Sequence, residues 1–390
     1  MNLSHSLDRL GTETAFEVLA RAKRLEAEGR RIVHLGIGAP DFDTPQHIKD
    51  ACAKALADGH TAYCQAQGLP ELREACADYL SRSRRITVTP DRVVITPGAK
   101  PFLGYAVMAT CDPGDEVIYP NPGFPIYESV IRYFGAVPVP LPLREERGFT
   151  FTAEDLAERI SPKTRLIMLN SPANPTGGVT GSAETAELAQ VLESTDAWIL
   201  SDEVYSEMVY EGEHDSVARY GDLLDRTILV DGFSKTFAMT GWRLGYASVP
   251  TPLVEPLTRL IVNTVSCTPP AIQLAGVAAL TGPWDEPRAM TAQFRARRDV
   301  VVNGLNALPG VTCVMPKGAF YAFPNITGTG FSSRELASKS LEEAGVAVVS
   351  GTSFGEFGEG YLRVSYANSI ENIEFGLASL RELLEGSLVS

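Results

Sequence analysis

The residues best suited to chemistry stand just after short apolar runs. Asp231-Gly232-Phe233-Ser234-Lys235 follows the run Thr227–Val230, and Arg243 comes shortly after the lysine. An amine nucleophile and a cationic anchor are thereby set close together. Val93–Thr96 leads into Pro97-Gly98-Ala99-Lys100, where small residues ahead of a helical stretch can present backbone N–H groups to a phosphate. Leu166–Leu169 leads into Asn170-Ser171-Pro172-Ala173-Asn174-Pro175-Thr176-Gly177, a tight loop that aims the Asn174 amide. Trp198–Leu200 leads into Ser201, Asp202, Glu203 and Tyr205. Ligands of open parallel sheets bind beyond the carboxyl ends of the strands, so the four sets are expected to face one crevice.

Taken singly, each set has an ordinary structural reading: an incidental Ser-Lys pair, a helix-capping Asp, a plain turn, a surface Arg. Together they supply a lysine amine for a Schiff base, a carboxylate to keep a pyridine nitrogen protonated, and N–H groups with Ser and Arg for a phosphate. That combination suits pyridoxal 5'-phosphate better than other common cofactors. Gly36-Ile37-Gly38-Ala39-Pro40-Asp41 looks briefly like a dinucleotide fingerprint. Asp41 stands where the third glycine belongs, and Pro40 breaks the expected helix, so that reading is discarded.

The elements that must position these residues follow from periodicity. Phe16, Leu19, Ala22 and Leu25 recur at helical spacing, with Gly29 as a stop, and a short strand Ile32–Leu35 comes next. Runs at Val93–Thr96, Glu116–Tyr119, Ala136–Pro140, Leu166–Asn170, Trp198–Ser201, Thr227–Val230 and Leu244–Ser248 alternate with helical stretches. This alternation predicts an α/β fold, a mostly parallel sheet covered by helices on both faces. Beyond it the spacing predicts a helix over Ala289–Ala307, a Gly318–Phe323 segment, a helix over Ser333–Ala344, and strands Val346–Val349 and Tyr361–Tyr366. These read as a smaller α+β domain formed from both chain ends, residues 1–45 with 288–390, beside a large domain of residues 46–287. In the last strand Leu362 and Val364 face one way, and Arg363 and Ser365 the other, so the Arg363 guanidinium can leave the core side.

The chain resembles the fold-type I, class I/II aminotransferases of the aspartate aminotransferase superfamily over nearly its whole length. The motifs include Gly38-Ala39-Pro40-Asp41-Phe42-Asp43-Thr44-Pro45, Tyr63 with Gly68-Leu69-Pro70-Glu71-Leu72-Arg73, Pro113-Gly114-Asp115-Glu116-Val117, and the Asn170–Gly177 loop. They continue through Ser201-Asp202-Glu203-Val204-Tyr205, the long run Ser234–Tyr246, and Leu362-Arg363-Val364-Ser365-Tyr366. The resemblance implies that Lys235 binds the cofactor and moves the substrate proton, and that Asp202 pairs with the ring nitrogen. Asn174 and Tyr205 would bond the ring's phenolic oxygen, and Phe124 would stack on the ring. Ser234, Arg243 and the N–H groups of Ala99 and Lys100, in the turn that Gly98 opens, would hold the phosphate. Tyr63 would reach that phosphate from a neighbouring subunit. Arg363 would bind the substrate α-carboxylate with help from the backbone near Gly38 and from Asn174. Lys100 matches a lysine that receives the side-chain carboxylate in dicarboxylate-specific relatives. The small hydroxyl residues that some relatives carry in the N-terminal helix are absent, with Ala15 and Glu17 in their place.

The implied reaction is a ping-pong transfer of an amino group between an L-amino acid and a 2-oxo acid, with aspartate or glutamate and 2-oxoglutarate as leading substrates. A β-lyase acting on cysteine conjugates is the alternative on the same fold. A more remote one is a non-catalytic ligand-sensing domain of the kind fused to transcription regulators. That reading expects a basic DNA-binding segment ahead of the motifs, which here begin at Gly38.

Composition limits the remaining classes. With 34 Lys+Arg against 48 Asp+Glu, the net charge of -14 repels nucleic acid and anionic membranes, so an anionic ligand needs a local cationic site. The six cysteines are widely spaced without a Cys-x-x-Cys pair, and no His-Glu-x-x-His run occurs. A cytoplasmic protein with reduced thiols and no metal site is expected. The start of the chain lacks an apolar leader, and no apolar run approaches transmembrane length. If Tyr63 serves a neighbour, the working unit is a homodimer with shared sites.

Overall fold

The computed structural model describes residues 3–388. Among these, β1 (Val33–His34) comes first. It is followed by β2 (Val93–Thr96), β3 (Glu116–Asn121), β4 (Val137–Pro142), β5 (Thr164–Asn170), β6 (Trp198–Asp202), β7 (Thr227–Gly232) and β8 (Gly245–Ser248). The chain closes with β9 (Tyr321–Ala322), β10 (Val346–Ala347), β11 (Val349–Ser350) and β12 (Leu362–Ser365). Strands β2 to β8 form one sheet in the order β2-β8-β7-β6-β5-β3-β4. Only β8 runs against the others, pairing antiparallel with both β2 and β7. The carboxyl ends of β2, β5, β6 and β7 therefore lie along one edge, as the alternation of runs predicts.

This sheet is apolar on both faces because both are covered. Val94, Leu166, Met168, Leu200 and Ile228 pack with Phe102 and Leu103 of the helix Pro101–Thr110 on one side. On the other, Ile167 and Ile199 meet Leu188 and Leu192 of the helix Ser182–Glu193. Ile95 and Leu229 meet Leu72 and Ala275 on that same side. Each fully buried aliphatic side chain contributes roughly 1.5–3 kcal/mol of transfer free energy. The architecture is mixed α/β, with a mostly parallel seven-stranded sheet flanked by helices.

The chain ends pack together. β1 lies parallel to β10, with Val33 opposite Val346. Val33 and Leu35 share a cluster with Phe294, Phe320, Val346 and Leu377. The run Val346–Val349, expected as one strand, is two: Ala347 ends β10, and Val349 starts β11, which pairs with β12 in a second small sheet. The backbone changes partner at Val348, a switch that apolar composition does not encode. The helix Thr14–Ala27 also departs from its expected stripe. Ala22 is its fully buried residue, whereas Phe16 is 60% exposed. Gly29 takes a φ of +87° just past the helix end, a left-handed conformation that suits glycine.

Candidate active site

A cavity of about 530 Å³ opens at the shared strand edge. It gathers Ala99 and Lys100 from the turn after β2, Asn170 at the end of β5 and Asn174 in the loop beyond it, Asp202 at the end of β6 and Tyr205 just past it, and Ser234, Lys235 and Arg243 after β7. Phe124 after β3, Gly38 after β1 and Arg363 from β12 complete the wall. Residues far apart in the sequence thus reach one space because the strands that carry them end on one edge.

Lys235 lies in a short helical turn, Phe233–Thr236, that follows β7 directly. Its Nζ donates to the Gly38 carbonyl at 2.5 Å and lies 5.7 Å from the ring centres of both Tyr205 and Phe320. Burial and then the Arg363 charge lower this amine to about 8, so a useful share is neutral and nucleophilic near neutral pH. Asp202 ends β6, and burial pushes its carboxyl up to about 6. The Tyr127 hydroxyl donates to its Oδ2 at 2.7 Å. Asn170 donates to the Asp202 carbonyl at 2.9 Å and accepts the Asn174 N–H at 2.9 Å, which fixes the loop after β5 against β6.

Arg363 is 4% exposed; Leu362 and Val364 enter the core cluster while the Arg363 guanidinium faces the cavity, the division that strand alternation predicts. It is buried as part of the cavity wall, with Tyr321 and Phe354 ring centres each 4.7 Å away. It donates to Asn174 Oδ1 at 3.1 Å and to the Gly36 carbonyl. Its Nε has no hydrogen-bond partner among the described residues, and a buried unpaired donor of a cation is costly unless a ligand meets it. Tyr205 is buried with its hydroxyl 2.7 Å from that of Tyr321.

The turn after β2 is shaped by close approach. Gly98 has a φ of +81°, and a Cβ there would sit 2.2 Å from Arg243 Nη2. Gly98 therefore holds the turn beside Arg243 and does not itself line the cavity. The N–H groups of Ala99 and Lys100 meet no backbone acceptor among the described residues. With Ser234 and Arg243 they form a donor set suited to a phosphate, and Lys235 and Asp202 line the same cavity. An amine, a carboxylate and a phosphate cradle in one enclosed space fit a phosphorylated aromatic aldehyde bound through its carbonyl. Phe124 lies at the wall, edge-on to Tyr127 at 5.8 Å between centres.

Tyr63, expected to serve a neighbouring chain's site, is 89% exposed and lies outside its own chain's cavity. Glu17 is exposed, and it is Glu13 that enters the cavity, together with Ala15 and Phe16. Glu13, Tyr127 and Tyr321 carry no motif signal of their own. Tyr127 was reachable through its spacing from Phe124 on the turn into a helix, but nothing in sequence ties it to Asp202. Below the site, Arg84 bridges Glu203 at 2.7 Å and Asp231 at 2.6 Å, wholly buried, and His214 lies 2.8 Å from Glu203. This network secures the ends of β6 and β7 from which Asp202 and Lys235 project. No group of three or more His, Cys, Asp or Glu is placed to hold a metal among the described residues.

The family model described as aminotransferase class I and II matches residues 30–380. An aspartate aminotransferase from Pyrococcus horikoshii is 40% identical over 373 residues, covering 95% of this chain and 94% of that one. Aromatic-amino-acid aminotransferase 2 from Thermococcus litoralis is 38% identical over 389 residues, covering 99% of each. The structure of aspartate aminotransferase from Thermus thermophilus with maleate superposes with a TM-score of 0.93 at 36% identity, covering 98% of this chain and 100% of that one. The match in sequence and in fold extends across the strand ends that build the cavity, and the chain belongs to the class I and II aminotransferase family.

Proposed function

We propose that this aminotransferase works with pyridoxal 5'-phosphate by a ping-pong mechanism. Aspartate or glutamate as donor and 2-oxoglutarate as acceptor are the leading substrates. The carrying observation is the convergence of buried Lys235, Asp202, Asn174 and Arg363 on one cavity with a phosphate cradle. When bound, the cofactor supplies a carbonyl that condenses with amines and a ring that accepts the electron pair left by loss of the α-proton. Lys235 would hold the cofactor through its amine, and its Nζ, freed when substrate binds, would be the base that moves a proton at the substrate α-carbon. Asp202, its carboxylate oriented by the Tyr127 hydroxyl, would pair with the ring nitrogen and keep it protonated. Asn174, whose Oδ1 is taken by Arg363, would offer its amide N–H to the ring's phenolic oxygen, with Tyr205 as a second donor. Phe124 would stack on the ring, and Ser234, Arg243 and the Ala99 and Lys100 N–H groups would hold the phosphate. Arg363 takes the substrate α-carboxylate in the two-pronged geometry that guanidinium favours.

The same reading makes the enzyme a cytoplasmic homodimer in which exposed Tyr63 completes the neighbouring site. The six free cysteines suit a reducing compartment. Residues 1–45 with 288–390 form a small domain against residues 46–287. The purified enzyme is expected to be yellow, with borohydride fixing the cofactor onto Lys235. A Lys235→Ala protein that still forms a reducible adduct would overturn the assignment. Spectroscopic titration of the yellow form with each of the twenty amino acids then ranks the donors.

A further inference from the structure

The outer end of the cavity holds an ion pair whose two members both line it: Glu13 with Lys100. Glu13 immediately precedes the helix Thr14–Ala27, a position where a carboxylate often caps backbone N–H groups. Here it makes no capping bond and turns toward Lys100. Its placement is secured from the chain before it. Arg9 donates to the carbonyls of Arg132 and Tyr133 at 3.0 and 3.2 Å, and Gly11 N–H donates to Ser129 Oγ at 2.9 Å. That segment is therefore moored on the helix Ile126–Tyr133, which follows Phe124. Lys100 Nζ lies 5.4 Å from the Phe124 ring centre, and both residues line the cavity. The Glu13 side chain is 18% exposed. It faces the same space as Lys235 and Arg363, so its charge acts on whatever enters between them.

We propose that Glu13 determines side-chain specificity as a resident carboxylate that occupies Lys100, which the distal carboxylate of a dicarboxylic amino acid must displace. A neutral side chain enters with the pair intact and meets the apolar surfaces of Phe16, Leu103 and Phe124. The site then accepts both classes, and Glu13 sets their ratio. This inference rests on Arg363 receiving the α-carboxylate, which fixes the substrate side chain toward Lys100. Pairs of this partial exposure are worth up to about 1 kcal/mol, or about fivefold.

The test uses holoenzyme and two independent readouts. In Glu13→Gln the ratio of kcat/KM for aspartate over alanine, taken from half-transamination, is expected to rise about fivefold. Succinate, a dicarboxylate that cannot react, is expected to bind about fivefold tighter by calorimetry. In a Lys100→Met background the same Glu13→Gln change is expected to tighten succinate binding by well under fivefold, because the contested cation is gone and only the repulsion between carboxylates is relieved. An unchanged or lower aspartate-to-alanine ratio, with succinate no tighter, would overturn the inference. A wild-type enzyme that converts alanine but does not bind succinate at all would overturn it too. Failure of the wild type with every amino acid would strike the functional reading beneath, and the succinate arm would still decide the role of Glu13.

Discussion

Asp202 and Lys235 carry opposite charges, and burial works against both. The Asp202 carboxyl, pushed up to about 6, binds its proton more tightly folded than unfolded. Its charge therefore opposes folding above about pH 6, and the opposition fades as pH falls toward the unfolded value of about 4. Asp202→Asn is expected to stabilise the cofactor-free protein by about 2 kcal/mol at pH 7.5 and by less at pH 5, while abolishing turnover. Urea unfolding at the two pH values measures the difference. Lys235, lowered to about 8 by burial and then by Arg363, must be neutral to attack a carbonyl. The rate of cofactor capture should climb about tenfold per pH unit below about pH 8 and level off above it. Arg363→Gln should move that plateau to higher pH, read by stopped-flow absorbance, because one neighbouring cation is removed. The motif residues Lys235, Asp202 and Arg363 were legible because their chemistry survives in the one-dimensional string. Glu13 and Tyr321 were not, since their importance lies in which side chains they touch across the fold.

Strand ends convert these side chains into a site, and glycines control how closely the ends approach. A Cβ on Gly245, the first residue of β8, would lie 2.3 Å from Ala99 N and 2.4 Å from Gly98 C, both backbone atoms that cannot rotate aside. Gly245→Ala should displace the phosphate turn, weaken cofactor affinity at least tenfold and cost about 1–3 kcal/mol of stability. Cofactor titration followed by absorbance checks the first effect, and thermal unfolding the second. Gly104, inside the helix Pro101–Thr110, has its nearest contact at 3.7 Å. Gly104→Ala should therefore stabilise by about 0.5–1 kcal/mol through helix propensity and leave cofactor affinity unmoved. The central strands were readable to within two residues because a strand buried on both faces is a bounded apolar run. The division of Val346–Val349 between two sheets was not. Its cause is partner geometry, with β1 on one side and β12 on the other.

At the scale of the molecule, Tyr63 is exposed on the loop that precedes the helix Pro70–Arg84, where the proposed second chain would use it. If Tyr63 serves the neighbouring site, Tyr63→Phe and Lys235→Ala damage different chains of one site. Refolding the two together should yield hybrid dimers with one intact site each. At a cofactor concentration that fills intact sites but not those lacking the Tyr63 hydroxyl, the mixture should recover about a quarter of wild-type activity, exceeding either variant alone. A steady-state assay of the mixture against the separate variants reads this out. The acidic exterior and the cationic interior belong to the same scale: a net charge of -14 coexists with Arg243, Arg363, Lys235 and Lys100 around one cavity.

The parallel pairing of β1 with β10 also sets an order of events. Strands β2 to β8 are all made before Asp285, so the large sheet can assemble while the chain is still growing. β1 is made earlier still, yet Val33 has no strand partner until Val346 emerges. The segment that follows β1 receives Lys235 at Gly38 and Arg363 at Gly36. The turn at Gly36–Gly38, made early, thus waits for one of the latest strands to fasten it. A nascent chain can display its lysine on a finished sheet long before that turn closes over it, and the cavity cannot be complete until Arg363 of β12 has been made.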